Sequence, residues 1–115
     1  MKKRLIRVAE NNEVKVSNVK FEFSADWIDF TAKDVPSAYF SSETGKELLK
    51  KQLKTIGKER FNSDNAFKNS VRKEYFYVNK DAKEEDATDE NLLNDLNEYI
   101  DFVVDNNNYS VNWLY

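Results

Sequence analysis

The sequence predicts an α+β domain with a mainly antiparallel sheet and with its helices packed on one face. Two observations support this fold class. Apolar and polar residues alternate over short segments near both ends of the chain and once in the middle, which is the period of a strand. Between them, apolar residues recur every three or four positions, which is the period of a helix. The predicted order is βββ-α-(α)-β-α-β with two main helices, in a single domain over residues 1–115.

Three strands are predicted in the first third of the chain, as an antiparallel meander. Leu5–Val8 form the first strand, and Asn11-Asn12 form the turn after it. The apolar residues from Val14 to Phe23 change phase at Ser17-Asn18. We attribute the change to a β-bulge, because the alternative, a tight turn, would leave a strand of only three residues. A further strand, "WIDFTA", follows a turn at Ala25-Asp26.

Two longer segments combine a helical period with a capping signal. Thr44-Gly45-Lys46-Glu47 matches the capping box and begins the first helix. Gly57 either ends that helix or lies within it. Thr88 caps the helix with the strongest pattern, and Asp89 and Glu90 suit its N-terminal dipole. The predicted core stripe of this helix consists of Leu92, Leu93, Leu96, Tyr99, Ile100, Val103 and Val104.

The remaining elements are predicted from shorter patterns. "NSDNAFKNSVRK" predicts a short helix that buries Phe67 and Val71, four positions apart. "KEYFYVN" predicts a strand because it is rich in aromatic residues. Asn106–Asn108 end the last helix, and the alternation from Tyr109 to Tyr115 predicts a final strand.

The composition argues against most kinds of catalysis. The chain has no Cys and no His, which excludes disulfides, Cys/His zinc sites and His-based acid–base chemistry. No Gly-rich phosphate loop is present, and the acids of residues 81–90 lack the spacing and the Gly of an EF-hand. Glu13-Val14-Lys15 has the E-x-K form of some nucleases without their second acid. We therefore predict a protein that is not an enzyme and uses no metal or cofactor.

The chain shows no signal for membrane insertion or secretion. The basic N-terminal residues are not followed by the apolar run of a signal peptide, and no segment approaches the roughly 18 apolar residues of a membrane span. We expect a cytoplasmic protein without membrane contact. Abundant Asn and Lys suggest an AT-rich genome and a bacterial or viral source.

Charge is divided along the chain. Residues 1–83 contain all 18 Lys and Arg with 12 acids, whereas residues 84–115 contain nine acids and no basic residue. The net charge of −3 therefore divides into +6 and −9. Each part suggests a candidate surface.

The acidic face of the last helix is the leading candidate. Phe102 lies at the edge of this face, where an aromatic anchor among carboxylates would bind a basic surface of a partner protein. The alternative is that Phe102 widens the core stripe and the acids are only solvated. The predicted partner-binding residues are Asp95, Glu98, Asp101, Phe102 and Asp105.

The basic middle of the chain is the second candidate, for nucleic-acid binding. Lysines at every fourth position would contact phosphates, and the segment from Phe67 to Lys80 interleaves aromatic and basic residues as single-strand binders do. The predicted residues are Lys46, Lys50, Lys54, Lys58, Arg72, Lys73, Tyr75 and Tyr77. Three alternatives stay open: a solvated face, packing of the basic helix beside the acidic one, and head-to-tail self-association.

The leading functional hypothesis is a small interaction or inhibitor protein that binds the basic surface of a partner, including one that normally holds nucleic acid. In size and composition the chain resembles small acidic inhibitors carried by phages and mobile elements, such as anti-CRISPR and DNA-mimic proteins, without sharing a motif with them. The alternatives are a nucleic-acid-binding accessory protein and a structural subunit. The subunit would self-associate through its final strand, which presents Tyr109, Val111, Trp113 and Tyr115 on one face.

Overall fold

The computed structural model describes residues 15–33 and 40–114. Its strands and helices are β1 (Lys15–Glu22), β2 (Trp27–Lys33), α1 (Glu43–Ser63), α2 (Asn65–Val78), α3 (Asp89–Asp105) and β3 (Tyr109–Leu114). This part of the chain is a small α+β domain, as predicted, with a three-stranded mixed sheet and three helices. The predicted strand Leu5–Val8, the turn Asn11-Asn12 and residues 13–14 lie outside the described residues.

β1 and β2 form the predicted antiparallel hairpin, including its irregularity. Their register shifts between Ser17 and Lys20, and Asn18 has a φ of 52°, so the predicted bulge is confirmed. At the predicted turn the chain passes through a 3-10 turn, Phe23–Ala25, and then through Asp26 with a φ of 51°. Asn and Asp tolerate this left-handed backbone better than other residues with side chains, so they replace glycine at both places.

β3 joins the sheet parallel to β2, so the prediction of a mainly antiparallel sheet is wrong for this strand. The strand order is β1-β2-β3, with Ile28 opposite Tyr109 and Ala32 opposite Trp113. Parallel neighbours require the chain to return to the end of the sheet where β2 began, and the three helices make that return. Alternation of apolar residues identifies the faces of a strand but not the direction of its neighbour.

The N-cap of α1 lies two residues before Thr44, the N-cap of the predicted capping box. Ser42 Oγ accepts a hydrogen bond from the backbone N–H of Gly45 at 3.0 Å, so Ser42 is the N-cap and Thr44 lies in the first turn. The capping box is therefore wrong, because a serine upstream offers the same acceptor and lengthens the helix. Gly57 lies within the helix and is buried. A Cβ atom there would lie 3.0 Å from Leu96 Cδ2 of α3, so the glycine allows close helix packing.

α2 continues through the "KEYFYVN" segment, so the strand predicted there is wrong. Asp64 caps the helix by accepting a hydrogen bond from the backbone N–H of Phe67 at 3.2 Å. Phe67 and Val71 are buried as predicted, and Tyr75 continues the same four-residue period. Strand propensity is weak and depends on packing, and here the helical contacts override it.

α3 has the predicted cap and the predicted core stripe. Thr88 caps its N-terminus, and Asn107, with a φ of 57°, follows its last turn. Its buried residues are Leu92, Leu96, Tyr99, Ile100, Val103 and Val104, with Leu93 half-buried. The Tyr99 hydroxyl donates to the backbone oxygen of Trp27 at 2.7 Å and lies 3.1 Å from that of Glu22. These contacts tie α3 to both sides of the hairpin turn.

The buried residues of the sheet and of all three helices form one hydrophobic cluster. Ile28, Phe30 and Ala32 of β2 belong to it, and the alternate residues of the strand face the other side of the sheet. On that other side the Trp27 indole donates to Asp29 Oδ1 at 3.1 Å and to Ser110 Oγ at 3.0 Å. One sheet face is therefore apolar and the other is polar.

Candidate interaction surfaces

The basic row of α1 lies against the acidic row of α3. Lys50 Nζ is 2.7 Å from Asp105 Oδ1, and Lys54 Nζ is 2.8 Å from Asp101 Oδ1. The two helices are antiparallel, since the earlier lysine meets the later aspartate. Of the alternatives that the sequence left open, internal pairing of the two charged helices is the one present in the structure. Each predicted site thus neutralises part of the other.

The two ion pairs differ in how far their side chains are buried. The Lys50 side chain is only 12% exposed, and its hydrogen bond to Asp105 raises the pKa of Lys50 above its ordinary value. Lys54 and Asp101 keep 34% and 42% of their side chains exposed, so water screens that pair and its contribution is at most about 1 kcal/mol. The Lys50 charge is therefore mostly buried and serves the contact between the helices, whereas the Lys54 side chain is partly exposed to solvent.

Asp95 lies against Glu74 of α2. Its Oδ2 atom and Glu74 Oε2 are both buried, and neither has a hydrogen-bond partner among the described residues. Burial first, then the hydrogen bond and the repulsion from Asp95, raise the pKa of Glu74 to about 8, with a smaller contribution from Asp26. At neutral pH Glu74 thus keeps its proton, and its protonated carboxyl group donates a hydrogen bond to Asp95. Sequence reasoning missed Glu74, because the segment around it was predicted as a strand.

Among the predicted partner-binding residues, Glu98 and Phe102 are exposed and belong neither to the ion pairs with α1 nor to the carboxyl contact with Glu74. Phe102 is 51% exposed, and Glu98 is exposed and makes no ion pair with any described residue. They lie four positions apart in one row of α3. A groove of about 300 Å³ lies between Glu98 and the C-terminal end of α2, where Tyr75 and the C-cap residue Asn79 line it. We call Glu98 and Phe102 the α3 row.

The lysines of α1 line a second groove, of about 570 Å³, beside α3. Lys50, Lys51, Lys54 and Lys58 contribute to it, opposite Asn94 and Asn97. Within the described residues, Lys51 and Lys58 make no ion pair, whereas Lys46 is partly buried near the start of the helix. The predicted phosphate-binding row therefore keeps fewer free charges than its sequence suggests.

The C-terminal end of α2 gathers the aromatic and basic residues of the second predicted site. Arg72 lies 5.3 Å from the centre of the Phe76 ring, and Lys80 Nζ lies 5.9 Å from that of Tyr77. Tyr77 and Val78 are 77% and 58% exposed. We call Arg72, Lys73, Phe76, Tyr77 and Lys80 the α2 patch.

The helical conformation creates the α2 patch. Positions three and four apart share a helix face, so Lys73, Phe76 and Tyr77 lie together, whereas a strand would place Phe76 on the opposite face from the other two. Lys80 lies in the turn after the helix and reaches the Tyr77 ring from there. Tyr75 points elsewhere and is half-buried, with its hydroxyl 3.5 Å from the backbone oxygen of Asp86. Phe76 and Lys80 belong to the predicted segment Phe67–Lys80 but were not among the residues chosen from it. The period set by Phe67 and Val71 is the sequence signal that would have placed Phe76 beside Lys73.

The described residues contain no group of three or more His, Cys, Asp or Glu side chains arranged to hold a metal ion. Among the helices in residues 15–33 and 40–114, none combines the length and the apolar character that crossing a bilayer requires.

The two exposed surfaces are the α3 row, an aromatic beside a carboxylate, and the α2 patch, aromatics beside cations. Comparison with known proteins adds no assignment: no protein-family model, no curated protein and no solved structure matches the chain.

Proposed function

We propose that the protein is a small, non-enzymatic interaction protein that binds a partner protein through the α3 row. The observation that carries this proposal is the exposure of Phe102, at 51%, on a helix that buries six other apolar side chains. Exposed apolar surface is unfavourable in water, and buried aromatic side chains dominate the affinity of protein interfaces. Phe102 would be the anchor of such an interface.

A basic surface on the partner fits the surroundings of Phe102. α3 contains no basic residue, and Glu98 is free of ion pairs among the described residues. Asp101 and Asp105 keep 42% and 58% of their side chains exposed although lysines pair with them. Carboxylates around an aromatic anchor attract a basic partner and orient it. Inhibition of a nucleic-acid-binding protein, which has such a surface, is the specific form of the proposal.

The proposal is tested by placing a photo-cross-linking phenylalanine analogue at position 102. The same analogue at Asn69, an exposed position of α2, is the matched control. We expect one protein to cross-link from position 102 and not from position 69, through a segment rich in Lys and Arg. Cross-linking at equal yield from both positions would show that the α3 row has no specific partner.

The partner identified in this way allows the anchor to be measured. Phe102→Ala should weaken binding by roughly thirtyfold, or about 2 kcal/mol, if Phe102 is a central anchor. Glu98→Lys should slow association and reduce its dependence on salt, whereas Glu98→Gln should have a smaller effect. Unchanged affinity in Phe102→Ala, with the helix content intact, would exclude this row as the interface.

The α2 patch favours a second candidate function, binding of single-stranded nucleic acid. Its specific support is the placement of Arg72 and Lys80 against the Phe76 and Tyr77 rings, with Tyr77 exposed. Exposed aromatic rings beside cations bind bases and phosphates with little dependence on sequence. Glu84, 3.5 Å from Arg72, would have to give way to a phosphate.

Fluorescence anisotropy of labelled oligonucleotides at low and physiological salt tests the second candidate. Tyr77→Ala should weaken binding by about 1–3 kcal/mol, the usual contribution of one stacked base. Lys73→Ala should reduce the salt dependence, whereas Lys51→Ala on α1 serves as the charge-matched control. Absence of binding even at low salt would eliminate the α2 patch as a nucleic-acid site.

A further inference from the structure

We infer that β3 is a self-association surface, at which a second copy of the chain adds its own β3 and continues the sheet across a two-fold axis. The inference does not depend on the proposed function, since β3 contributes no residue to the α3 row or the α2 patch. It rests on three properties of the strand. Its edge lacks the features that prevent strand pairing, its peptide groups at that edge are free to form hydrogen bonds, and its residues match those of a second copy in antiparallel register.

The two edges of the described sheet differ in how they are protected. β1 carries Lys15 and Lys20 and is bent by the bulge at Asn18, which are ordinary protections of an edge strand. β3 has the sequence Tyr-Ser-Val-Asn-Trp-Leu, with no charge, no proline and no bulge. Among the described strands its only neighbour is β2. The edge of β3 therefore has none of the features that discourage strand pairing.

The register fixes which peptide groups of β3 point to the free edge. Ile28 N donates to Asn108 O at 3.2 Å, and Ile28 lies opposite Tyr109. In a parallel ladder with this register, the peptide groups of Ser110 and Asn112 bond to β2. Those of Tyr109, Val111 and Trp113 then point away from it. Each of these three residues offers an N–H and a C=O group to a further strand.

A second copy of β3 can form hydrogen bonds with the peptide groups of all three residues at once. This requires an antiparallel pair in which Val111 lies opposite Val111 of the copy. Tyr109 then lies opposite Trp113 of the copy, and both exchange hydrogen bonds as opposed residues do in such a ladder. The aromatic pair adds about 0.2–1 kcal/mol at each of its two occurrences. Because β3 carries no charge, the pairing brings no like charges together.

The aromatic side chains of β3 would be further buried by this pairing. Tyr109 packs on Phe30 with ring centres 5.6 Å apart, and Trp113 packs on Phe40 at 5.7 Å. Both rings are only half-buried, since they lie at the margin of the core. A second β3 covers their open sides and joins the two cores along one continuous sheet. A two-fold arrangement closes after two copies and leaves the β1 edges outermost.

Sedimentation equilibrium of the full chain, from low micromolar to millimolar concentration, is the first test. We expect a monomer–dimer equilibrium. Asn112→Lys adds a charge to an exposed position of β3 and should raise the dimer dissociation constant roughly tenfold. Ser17→Lys adds the same charge to the exposed face of β1 and should leave the constant unchanged. A monomer at every concentration overturns the inference, and so does equal weakening by both variants.

Spin labels locate the interface independently of affinity. The chain has no cysteine, so Asn112→Cys and Lys20→Cys each introduce one label per copy. In the inferred dimer the two β3 strands are one strand spacing apart, about 4.8 Å, whereas the two β1 strands are separated by about 24 Å. The distance between labels at position 112 should therefore be much shorter than at position 20. The reverse order, or no measurable distance at position 112, contradicts pairing through β3.

Discussion

Glu74 and Asp95 bring two carboxyl groups together between α2 and α3, in a contact that depends on one proton. Glu74 Oε2 and Asp95 Oδ2 are both buried, and a proton on Glu74 allows the two carboxyl groups to share one hydrogen bond. Without that proton two negative charges would face each other, and no described Lys or Arg forms an ion pair with either of them. The packing of the two helices is therefore linked to pH.

Stability should fall as the pH rises through the range in which Glu74 loses its proton. The ordinary pKa of this group is 4.5, and in the folded protein it is raised to about 8. The folded state thus holds a proton that the unfolded state has released, so the contribution is fully present below about pH 4.5 and is lost as the pH passes about 8. Since the side chain is only partly buried, screening limits the effect to on the order of 1 kcal/mol.

Urea denaturation at mildly acidic and mildly alkaline pH measures this effect, and Glu74→Gln is the control. The amide of Gln donates to Asp95 at any pH, so the variant should lack this part of the pH dependence and exceed the wild type in stability at the alkaline pH. The Tyr99 hydroxyl stays protonated there, because burial raises its pKa further above the ordinary value of 10. Equal slopes in both proteins would show that Glu74 is ionised throughout.

Within α1, Gly57 decides how closely α1 and α3 approach. Its missing side chain leaves room for Leu96, which is fully buried, and for Ile100. A Cβ atom at position 57 would be 3.0 Å from Leu96 Cδ2, closer than ordinary contact. The helix thus contains a residue of low helix propensity because packing outweighs propensity at this point.

Gly57→Val should destabilise the protein by about 1–3 kcal/mol, the usual effect of overpacking a core. The valine needs space on the side of Leu96, and α3 must move to provide it. Chemical denaturation measures the loss, with Glu59→Val as the control at an exposed position of the same helix. If both valines reduce stability equally, the contact between α1 and α3 at Gly57 is not tight.

The same elements show what could be predicted from the sequence. The bulge at Asn18, the Thr88 cap and the stripe of α3 follow from local patterns, and these predictions are confirmed. The strand at "KEYFYVN" is wrong because aromatic residues favour strands on average, while helical packing of Phe67 and Val71 determines the outcome here. The direction of β3 depends on contacts between distant segments, which local periodicity does not contain.

Across the whole molecule, the division of charge along the chain is largely undone by folding. The basic α1 and the acidic α3 lie side by side, with Lys50 on Asp105 and Lys54 on Asp101. The sequence indicated two surfaces of opposite sign and left open whether they meet. Helical periodicity identifies which residues share a face, but only tertiary contacts determine what that face touches. Phe102 stayed exposed, whereas Asp95 of the same predicted set was buried against Glu74.

Reversing Lys50 should show how much this pairing stabilises the fold. Lys50→Glu would place a third carboxylate beside Asp105 and Glu47, and we expect a loss of about 1–3 kcal/mol because Lys50 is nearly buried. The double variant Lys50→Glu/Asp105→Lys should recover part of that loss. Lys51→Glu, at the exposed neighbouring position, should change stability by less than about 0.5 kcal/mol. No recovery in the double variant would mean that the pair is not the source of the effect.

The parallel pairing of β3 with β2 also has a consequence for the order in which the protein is made. All three helices are synthesised between the two strands, so a growing chain carries a complete β1–β2 hairpin long before β3 leaves the ribosome. During that interval β2 presents an open edge next to the apolar Ile28 and Phe30. A chain released before Tyr109 would keep this edge exposed. Premature termination of synthesis, or proteolytic removal of β3, would therefore leave a chain that is prone to aggregation through this edge.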